Sequence, residues 1–565
     1  MRINIAFFAI LLFFFLFLFI VYPVNGALTG NSDTIVHLAF FKHYTNVITH
    51  FLSGEPLGNS YYPDSGVHLF AEPYFGQYAV FMFYKLLGIS DIVAQYSFIA
   101  TIYALNGWAV YLLAFYLTEN KIAGCLAGFS FAGSSFLIAN MELYNATGAV
   151  FAILAILFWL KYFKEGDVRY IILTVCFGGL QVYWSGYIFL FQNITLLLIA
   201  IVNYKKIVNK KTIKQVSLAV PFYILIILPY LLGYILADRF DNAYNPALYN
   251  PEQVDAFSMH FIDLVRPLKD NLIYPHNVGW LNEPEGVMQI PYHANLGIAL
   301  FIMSILGVMY LKKRALYLVG LFLLGLFLAM GPIVEIGEYQ LFSPLYWFYE
   351  HTSLGKFYRI PGRAFIISVA ALSLLAAYGA KFIDDNYKFG YLIVGSITIF
   401  ILMENVPFRT NLSSDRQILN PHPVYTDTLK QTPPEKTVLL ELPSSILSDP
   451  SPEKNGLSEF SREYWYAYWQ TIHKNHTING SSGYFPKTRI MNDSLIKNLG
   501  SIKHFRKLIS QNGITHALYH KEMLLTESER KYHRILDTTR LAKKVYEDSS
   551  LILYNLKKDD SFTEN

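Results

Sequence analysis

Long apolar runs recur along the chain as far as residue 405, and beyond it short apolar stretches alternate with polar ones. A helix needs roughly 20 apolar residues to cross the hydrocarbon core of a bilayer. The segment 74–88 is shorter than that and carries Gln77 and Lys85, so we interpret it as a helix that dips into the outer leaflet. The remaining runs predict about eleven transmembrane helices, at residues 4–24, 93–117, 122–139, 147–163, 169–184, 187–204, 214–236, 294–311, 315–332, 364–382 and 390–405.

The basic residues indicate how the chain threads through the membrane. If 74–88 does not cross, the basic loops around Lys121, Arg169, 205–214 and 312–314 share one face with the amino terminus, which is the positive-inside pattern. The first apolar run has a basic start and is longer than the apolar core of a signal peptide, which predicts an uncleaved signal anchor. We therefore expect a multi-pass protein of the plasma (inner) membrane with a cytoplasmic amino terminus.

This threading predicts two domains. A transmembrane domain takes residues 1–405, and an extracytoplasmic domain takes residues 406–565. In the tail, extended runs such as "TVLLELP" and "THALYH" alternate with polar helical stretches, which is typical of a small α/β domain. The turn-rich stretch "HTINGSSGYFP" predicts a loop there. On the same side of the membrane we expect three long outer loops, at residues 25–91, 237–293 and 333–363.

Composition excludes several classes of protein. The 565 residues are 53% hydrophobic and 15% charged, unlike a soluble globular chain. The formal net charge of +4 is small, and the basic residues that make it up fall in short loops, which argues against a nucleic-acid partner. Cys125 and Cys176 both lie in apolar runs, where neither a disulfide framework nor a metal-binding spacing is expected.

An acid stands close to the end of the first span. Asp33 opens the stretch "SDTIVHLAFFKHYTNVITHFL", whose apolar residues recur at roughly helical spacing. A carboxylate in a first helical turn needs no catalytic reason, because it complements the helix dipole. An amphipathic helix along the outer membrane surface would also place Asp33 where a lipid headgroup meets a water-soluble acceptor, and a carboxylate there can act as a general base. The same loop adds His37, Asp64, His68 and Glu72.

Three basic residues precede the span 364–382. Lys356, Arg359 and Arg363 lie in and around "FYRIPGRAF" on the predicted outer face, where the topology rule gives arginine little reason to occur. The planar fork of arginine suits phosphate oxygens. The alternative is that these side chains only extend toward lipid headgroups or anchor the end of the helix.

Several motifs along the chain carry a family resemblance. An early acid in the first outer loop is followed by "YYPDSGVHL", "LLGISD", "DLVRPL", "YHANLGIAL" and "FYRIPGRAF", and the tail has "LLELP" and "NGSSGYFP". In this order they resemble the GT-C superfamily of polytopic membrane glycosyltransferases, and more narrowly the YfhO-like bacterial membrane proteins. The resemblance implies a GT-C-like fold, a polyprenyl-phosphate-linked sugar donor and an envelope polysaccharide, lipid or protein as acceptor. Asp33 would deprotonate the acceptor, and Lys356, Arg359 and Arg363 would meet the phosphate, with His37, Asp64, His68 and Glu72 near the substrate.

The sequence leaves alternatives open for both the cofactor and the function. Some such enzymes hold a divalent metal with paired acids, but here the first loop offers Asp33 alone, and Asp33 with His37 gives too few ligands for a metal site. No cofactor is therefore assigned, and a divalent metal stays open. The rival to a transferase is a non-catalytic protein, either a lipid-linked saccharide transporter or an envelope scaffold. The predicted spans lack charged residues near mid-bilayer, which argues against the transporter but not against the scaffold.

Overall fold

The computed structural model of the protein describes most of the chain. The described residues are 9–10, 12–14, 16, 32–54, 57–64, 72, 74–141, 143–236, 243–244, 254–255, 257–267, 273–274, 295–336, 339–352, 358, 360–405, 421–444, 459–480, 485–524 and 529–557.

Helices dominate the described residues. In chain order they are α1 (Ser32–Ser53), α2 (Phe75–Leu86), α3 (Asp91–Thr118), α4 (Lys121–Ala132), α5 (Ser135–Ala139), α6 (Tyr144–Thr147), α7 (Val150–Glu165), α8 (Val168–Leu180), α9 (Gly186–Val202), α10 (Tyr204–Ile207), α11 (Lys210–Leu236), α12 (Ile298–Leu311), α13 (Leu316–Ala329), α14 (Pro344–His351), α15 (Phe365–Asn386), α16 (Gly390–Asn405), α17 (Glu459–His473), α18 (Lys487–Lys497), α19 (Ile502–Asn512) and α20 (Arg530–Thr538).

The strands are short and most of them lie near the carboxyl terminus. They are β1 (Ala243–Tyr244), β2 (Ile333–Ile336), β3 (Tyr339–Phe342), β4 (Val438–Leu442), β5 (His476–Thr477), β6 (Phe485–Pro486), β7 (His516–His520), β8 (Ala542–Glu547) and β9 (Leu551–Leu556).

The chain forms two compact units, and each unit combines segments that are far apart in the sequence. The helical unit contains residues 1–24, 74–231 and 246–410. The sheet unit contains residues 25–73, 232–245 and 411–565, so the segment after the first apolar run belongs with the tail. A contiguous boundary at residue 405 misses this grouping, because α1 packs on α17, more than 400 positions further along the chain.

The helical unit has apolar helices at the positions that hydropathy predicted. Among the described residues, five stretches are long and apolar enough to cross a membrane: Asp91–Thr118, Lys121–Ala139, Tyr144–Glu165, Lys210–Gly233 and Pro361–Asn386. Shorter apolar helices follow at Val168–Tyr183, Gly186–Val202 and Gly390–Asn405. The multi-pass helical class is therefore confirmed, whereas the number of about eleven crossings stays a prediction.

Local chemistry sets the turn between two of these helices. α7 ends at Gly166, whose φ of 71° is a left-handed conformation that glycine adopts without strain. The next residue, Asp167, caps α8 by accepting a hydrogen bond from the backbone N–H of Arg169 at 2.9 Å. A glycine stop followed at once by an aspartate start therefore lets the two helices turn back and pack on one another.

Glycines let α12 and α15 approach closely. A Cβ added at Gly307 of α12 would overlap the backbone carbonyl of Leu375, and one added at Gly379 would overlap that of Met303. Helices within lipid gain no hydrophobic driving force when they associate. Close packing through small residues stabilises such contacts instead.

The sheet unit is built on five strands in the order β5-β4-β7-β9-β8. β4 is parallel to both of its neighbours, whereas β7, β9 and β8 pair antiparallel. Its core is a cluster of buried apolar side chains that includes Leu440, Leu442, Ile496, Phe505 and Leu508. The small α/β arrangement expected for the tail is thus present, and its extracytoplasmic placement stays a prediction.

A segment from the first predicted outer loop extends this sheet unit. The N–H of Tyr62 donates to the carbonyl of Thr477 at 3.0 Å, and the N–H of Thr477 donates to the carbonyl of Asn59 at 3.0 Å. The N–H of Gly58 donates to the carbonyl of Lys474 at 2.7 Å. Residues 57–64 therefore run beside β5 and form backbone hydrogen bonds with it and its neighbours.

Candidate functional site

Asp33 lies where the sequence placed it, in the first turn of α1. Its side chain is outside the described residues. The helix differs from a simple surface helix, because Ile35, Leu38 and Phe41 are buried together with Val36, Ala39 and Phe40. The apolar side chains at its other end, Ile48, Phe51 and Leu52, are exposed. Burial thus changes along the helix rather than from one face to the other.

The helix that carries Asp33 is held by α17 within the sheet unit. The side-chain amide of Asn46 donates to the carbonyl of Thr471 at 2.8 Å. The ammonium of Lys42 lies 5.1 Å from the ring centre of Tyr468, a cation–π distance. These contacts fix α1 on a tail helix, which hydropathy alone does not predict.

The other predicted residues of this loop have separate surroundings. His37 is buried on α1, at 3% exposure, and Glu72 is partly buried. Asp64 is partly buried and accepts a hydrogen bond from the hydroxyl of Thr488. Burial raises the pKa of Asp64, and the Thr488 hydrogen bond opposes that rise. His68 lies outside the described residues.

Arg363 stands at one end of the helical unit, in the turn that leads into α15. It is buried, at 5% exposure, and its guanidinium carbon lies 4.5 Å from the ring centre of Tyr187. The ring of Tyr358 lies 6.4 Å from that of Tyr187, which makes an aromatic wall beside the arginine. The side chain therefore does not simply extend toward solvent. Lys356 and Arg359 lie outside the described residues.

A buried ion pair that we did not assign from the sequence lies in "DLVRPL". Arg266 Nη1 is 3.0 Å from Asp263 Oδ1, and both side chains are almost fully buried. The backbone N–H of His260 donates to the other carboxylate oxygen of Asp263 at 2.8 Å. The available signal was an acid and an arginine three positions apart in an otherwise apolar stretch, which places both on one face of a helical turn.

Backbone bonds bring this ion pair toward the turn that carries Arg363. The N–H of Gly362 donates to the carbonyl of Phe257 at 3.0 Å, and the N–H of Met259 donates to the carbonyl of Ala329 at the end of α13. Two buried guanidinium groups, on Arg266 and Arg363, therefore belong to one end of the helical unit. Arginine groups in a poorly hydrated site bind phosphate oxygens strongly.

The same end of the helical unit contains a buried carboxylate. Glu404, near the end of α16, accepts hydrogen bonds from the backbone N–H groups of Ile298 and Ala299 at 3.1 and 2.9 Å. These are among the unsatisfied donors at the start of α12, so Glu404 caps that helix and complements its dipole. Tyr274 donates to the same carboxylate at 2.5 Å. We assign Glu404 a structural role.

Metal binding has no ready-made ligand set here. Within the described residues, no group of three or more His, Cys, Asp or Glu side chains is placed to hold a metal ion.

The helical unit and the small α/β unit that includes the acid-bearing helix make up a fold that is similar to solved glycosyltransferase structures. The structure of the arabinofuranosyltransferase AftD from Mycobacteria superimposes with a TM-score of 0.58 at 11% identity, over 98% of this chain and 40% of AftD. A mutant of AftD gives a TM-score of 0.59 at 12% identity, over 98% of this chain and 41% of that one.

This chain thus spans about two fifths of the length of AftD. ArnT from Cupriavidus metallidurans, bound to undecaprenyl phosphate, is also similar, with a TM-score of 0.47 and 10% identity over 98% of this chain and 97% of that one. No protein-family model matches the sequence. No curated protein matches it either.

Proposed function

We propose that the protein is a membrane glycosyltransferase that moves a sugar from a polyprenyl-phosphate-linked donor to an acceptor on the non-cytoplasmic face. The likeness to AftD, an arabinofuranosyltransferase of the same fold, is the observation that carries the proposal. The arrangement of Asp33 on a helix fixed by the tail, and of buried arginines at one end of the helical unit, supports it.

In this reaction an acceptor hydroxyl oxygen attacks the anomeric carbon of the donor sugar. The new glycosidic bond forms as the bond from that carbon to the phosphate oxygen breaks, and the polyprenyl phosphate leaves with the bonding pair. The hydroxyl proton passes to the carboxylate of Asp33, which is the general base. Because the attack is direct, the anomeric centre is inverted.

The leaving phosphate gains negative charge in the transition state, so it needs fixed positive charge nearby. We assign that role to Arg363, together with Lys356 and Arg359 of the same segment. Arg266 joins them, because its buried guanidinium belongs to the same end of the helical unit. The planar guanidinium groups would each take two phosphate oxygens.

Turnover of a radiolabelled polyprenyl-phosphate sugar in nanodiscs tests the proposal. The native protein should release polyprenyl phosphate when an acceptor is supplied, and Asp33→Asn should insert normally but lose that release by a factor of about 100 or more, as expected for a general base. Asp427→Asn, an exposed acid in the sheet unit, is the matched control and should turn over like the native chain.

Three outcomes would contradict the assignment. Full activity in Asp33→Asn would exclude Asp33 as the base while leaving a transferase in place. If no donor in a broad panel is consumed, and Asp33→Asn and Arg363→Lys both behave like the native protein in cells, the scaffold becomes the better account. Movement of an intact donor across the bilayer would instead favour a transporter.

A further inference from the structure

Two tail motifs that the transferase reaction does not use meet inside the sheet unit. Glu441 lies on β4 in "LLELP", and Asn479 begins "NGSSGYFP". The backbone N–H of Glu441 donates to the Asn479 side-chain oxygen at 2.7 Å, and the Asn479 amide donates back to the Glu441 carbonyl at 3.0 Å. This reciprocal pair joins the two motifs near the carboxyl end of β4.

The sheet topology makes this edge a common place for a ligand. From β4 the chain passes through α17 to β5 on one side, and later reaches β7 on the other side of β4. Both neighbours are parallel to β4. In open α/β sheets, ligands bind at the carboxyl ends of strands where the order of the strands reverses in this way.

One buried ion pair at this edge has a well hydrogen-bonded carboxylate. Glu463 of α17 accepts hydrogen bonds from the Ser444 hydroxyl at 2.5 Å and from the backbone N–H of Gly480 at 2.9 Å. Arg489 Nη2 lies 3.1 Å from the same carboxylate, and Arg489 Nη1 lies 3.6 Å from Asp493. These groups hold the edge together, and Nε and Nη1 of Arg489 have no hydrogen-bond partner among the described residues.

The residue beside Glu463 is a second buried arginine. Arg462 is fully buried, at 0% exposure. Its Nη1 donates to the carbonyl of Met523 at 3.1 Å and to the carboxylate of Glu529 at 2.8 Å. Its Nε and Nη2 have no hydrogen-bond partner in the part of the chain that the structure describes. Nε and Nη2 form one edge of the planar guanidinium, and two parallel N–H groups of this kind bind an oxyanion bidentately.

The surrounding charges do not oppose an anion at that edge. Arg489 is paired with Glu463, Arg462 with Glu529, and Asp493 lies 3.7 Å from Lys497, so the buried acids are matched by bases. Burial raises the pKa of Glu441 well above its ordinary value, which favours the uncharged form of this carboxyl and lessens its repulsion of an anion.

We propose that the carboxyl edge of β4 and β7 is a second binding site, for an oxyanion that docks on Nε and Nη2 of Arg462. A carboxylate and a phosphate share the required geometry. The first would come from an acidic sugar such as a uronic acid, and the second from a free phosphate or a phosphorylated sugar. The site does not depend on Asp33 and stands whether or not the transferase reaction is correct.

Titration of the full chain in nanodiscs with inorganic phosphate and, separately, with glucuronate tests the site by calorimetry. We expect saturable binding of at least one probe, and the probe that binds more tightly identifies the source of the oxyanion. Arg462→Lys keeps the charge but loses the fork, and it should weaken binding at least tenfold. Arg540→Lys, at an exposed arginine of the same unit, should bind like the native protein.

Hydrogen exchange on the native protein keeps the test independent of how the variant folds. A saturating amount of the bound probe should slow exchange of the amides of α17 and of β7, next to Arg462, without changing exchange in α8. The proposal is overturned if neither probe binds, if Arg462→Lys binds as tightly as the native chain, or if exchange near Arg462 is unchanged.

Discussion

Replacing Glu463 with glutamine should destabilise the sheet unit strongly. The carboxylate is fully buried, accepts hydrogen bonds from Ser444 and Gly480, and forms an ion pair with Arg489. Glutamine has nearly the same shape but presents an N–H₂ group where a second acceptor is needed. It leaves Arg489 with the bond to the Ser444 hydroxyl and with Asp493, at a longer distance, as its one carboxylate neighbour. Removing one partner of a buried ion pair costs about 3–5 kcal/mol, because the remaining charge stays buried.

We expect the lower end of that range, about 3 kcal/mol, because Arg489 retains one carboxylate neighbour. This corresponds to a change of more than a hundredfold in the equilibrium between closed and open states. Hydrogen exchange of the β4 amides in the full chain measures the change, because these strand amides exchange only when the sheet opens.

The matched control is Glu547→Gln. Glu547 contacts Lys521 and Lys544 on the exposed surface of the same unit, at 3.0 and 2.7 Å. Exposed ion pairs contribute little to stability, so the β4 amides should exchange as in the native protein. Breaking a desolvated ion pair should cost more than about 1 kcal/mol. A smaller change in the free energy of opening for Glu463→Gln would therefore refute the reasoning.

Three further predictions follow from the described contacts. Arg363→Lys should lower turnover about tenfold, because a lost hydrogen bond to a charged group costs about 1.5–3 kcal/mol; a donor titration measures whether the effect is on KM or kcat. Gly307→Val should lower the free energy of unfolding of the helical unit by about 1–3 kcal/mol, because the new side chain overlaps the Leu375 carbonyl. Thermal unfolding in detergent measures this change. Burial lowers the pKa of His473 to about 3, so the unfolded chain binds a proton that the folded chain does not, and stability should fall as the pH drops from about 6.5 toward 3. His473→Gln should make that loss of stability shallower in acid-unfolding curves.

The positions of the helices could be predicted because membrane helices are read from local composition. The predicted spans 93–117 and 390–405 correspond to α3 and α16, and the short segment 74–88 is a helix of 12 residues, α2. Each of these depends only on an apolar run and on the polar or glycine residues that end it.

The membership of the sheet unit could not be predicted in the same way. Nothing near Asn46 in the sequence indicates that its amide will bond to Thr471, 425 positions away. The pairing of 57–64 with β5 is likewise a long-range backbone contact, and backbone bonds carry little sequence signature. Composition located the tail, but only tertiary packing adds α1 to it.

The candidate site shows the same limit. Asp33 and Arg363 are proposed from residue type and from their places beside predicted spans, and both lie at the starts of described helices. Arg266 and Arg462 were missed, because their importance depends on burial and on which nitrogen atoms remain without a partner. Neither property is visible until segments far apart in the chain are in contact.

These contacts give the tail a role in the proposed reaction beyond that of an appended domain. A general base contributes only when its carboxylate lies within hydrogen-bond reach of the proton it accepts. The helix of Asp33 is fixed by Asn46 and Lys42 on α17, and the chain that follows it is fixed by backbone bonds beside β5. The tail therefore holds α1, the helix that carries Asp33. Because Asp33 is the proposed base, loosening the packing of α17 on α1 should reduce kcat.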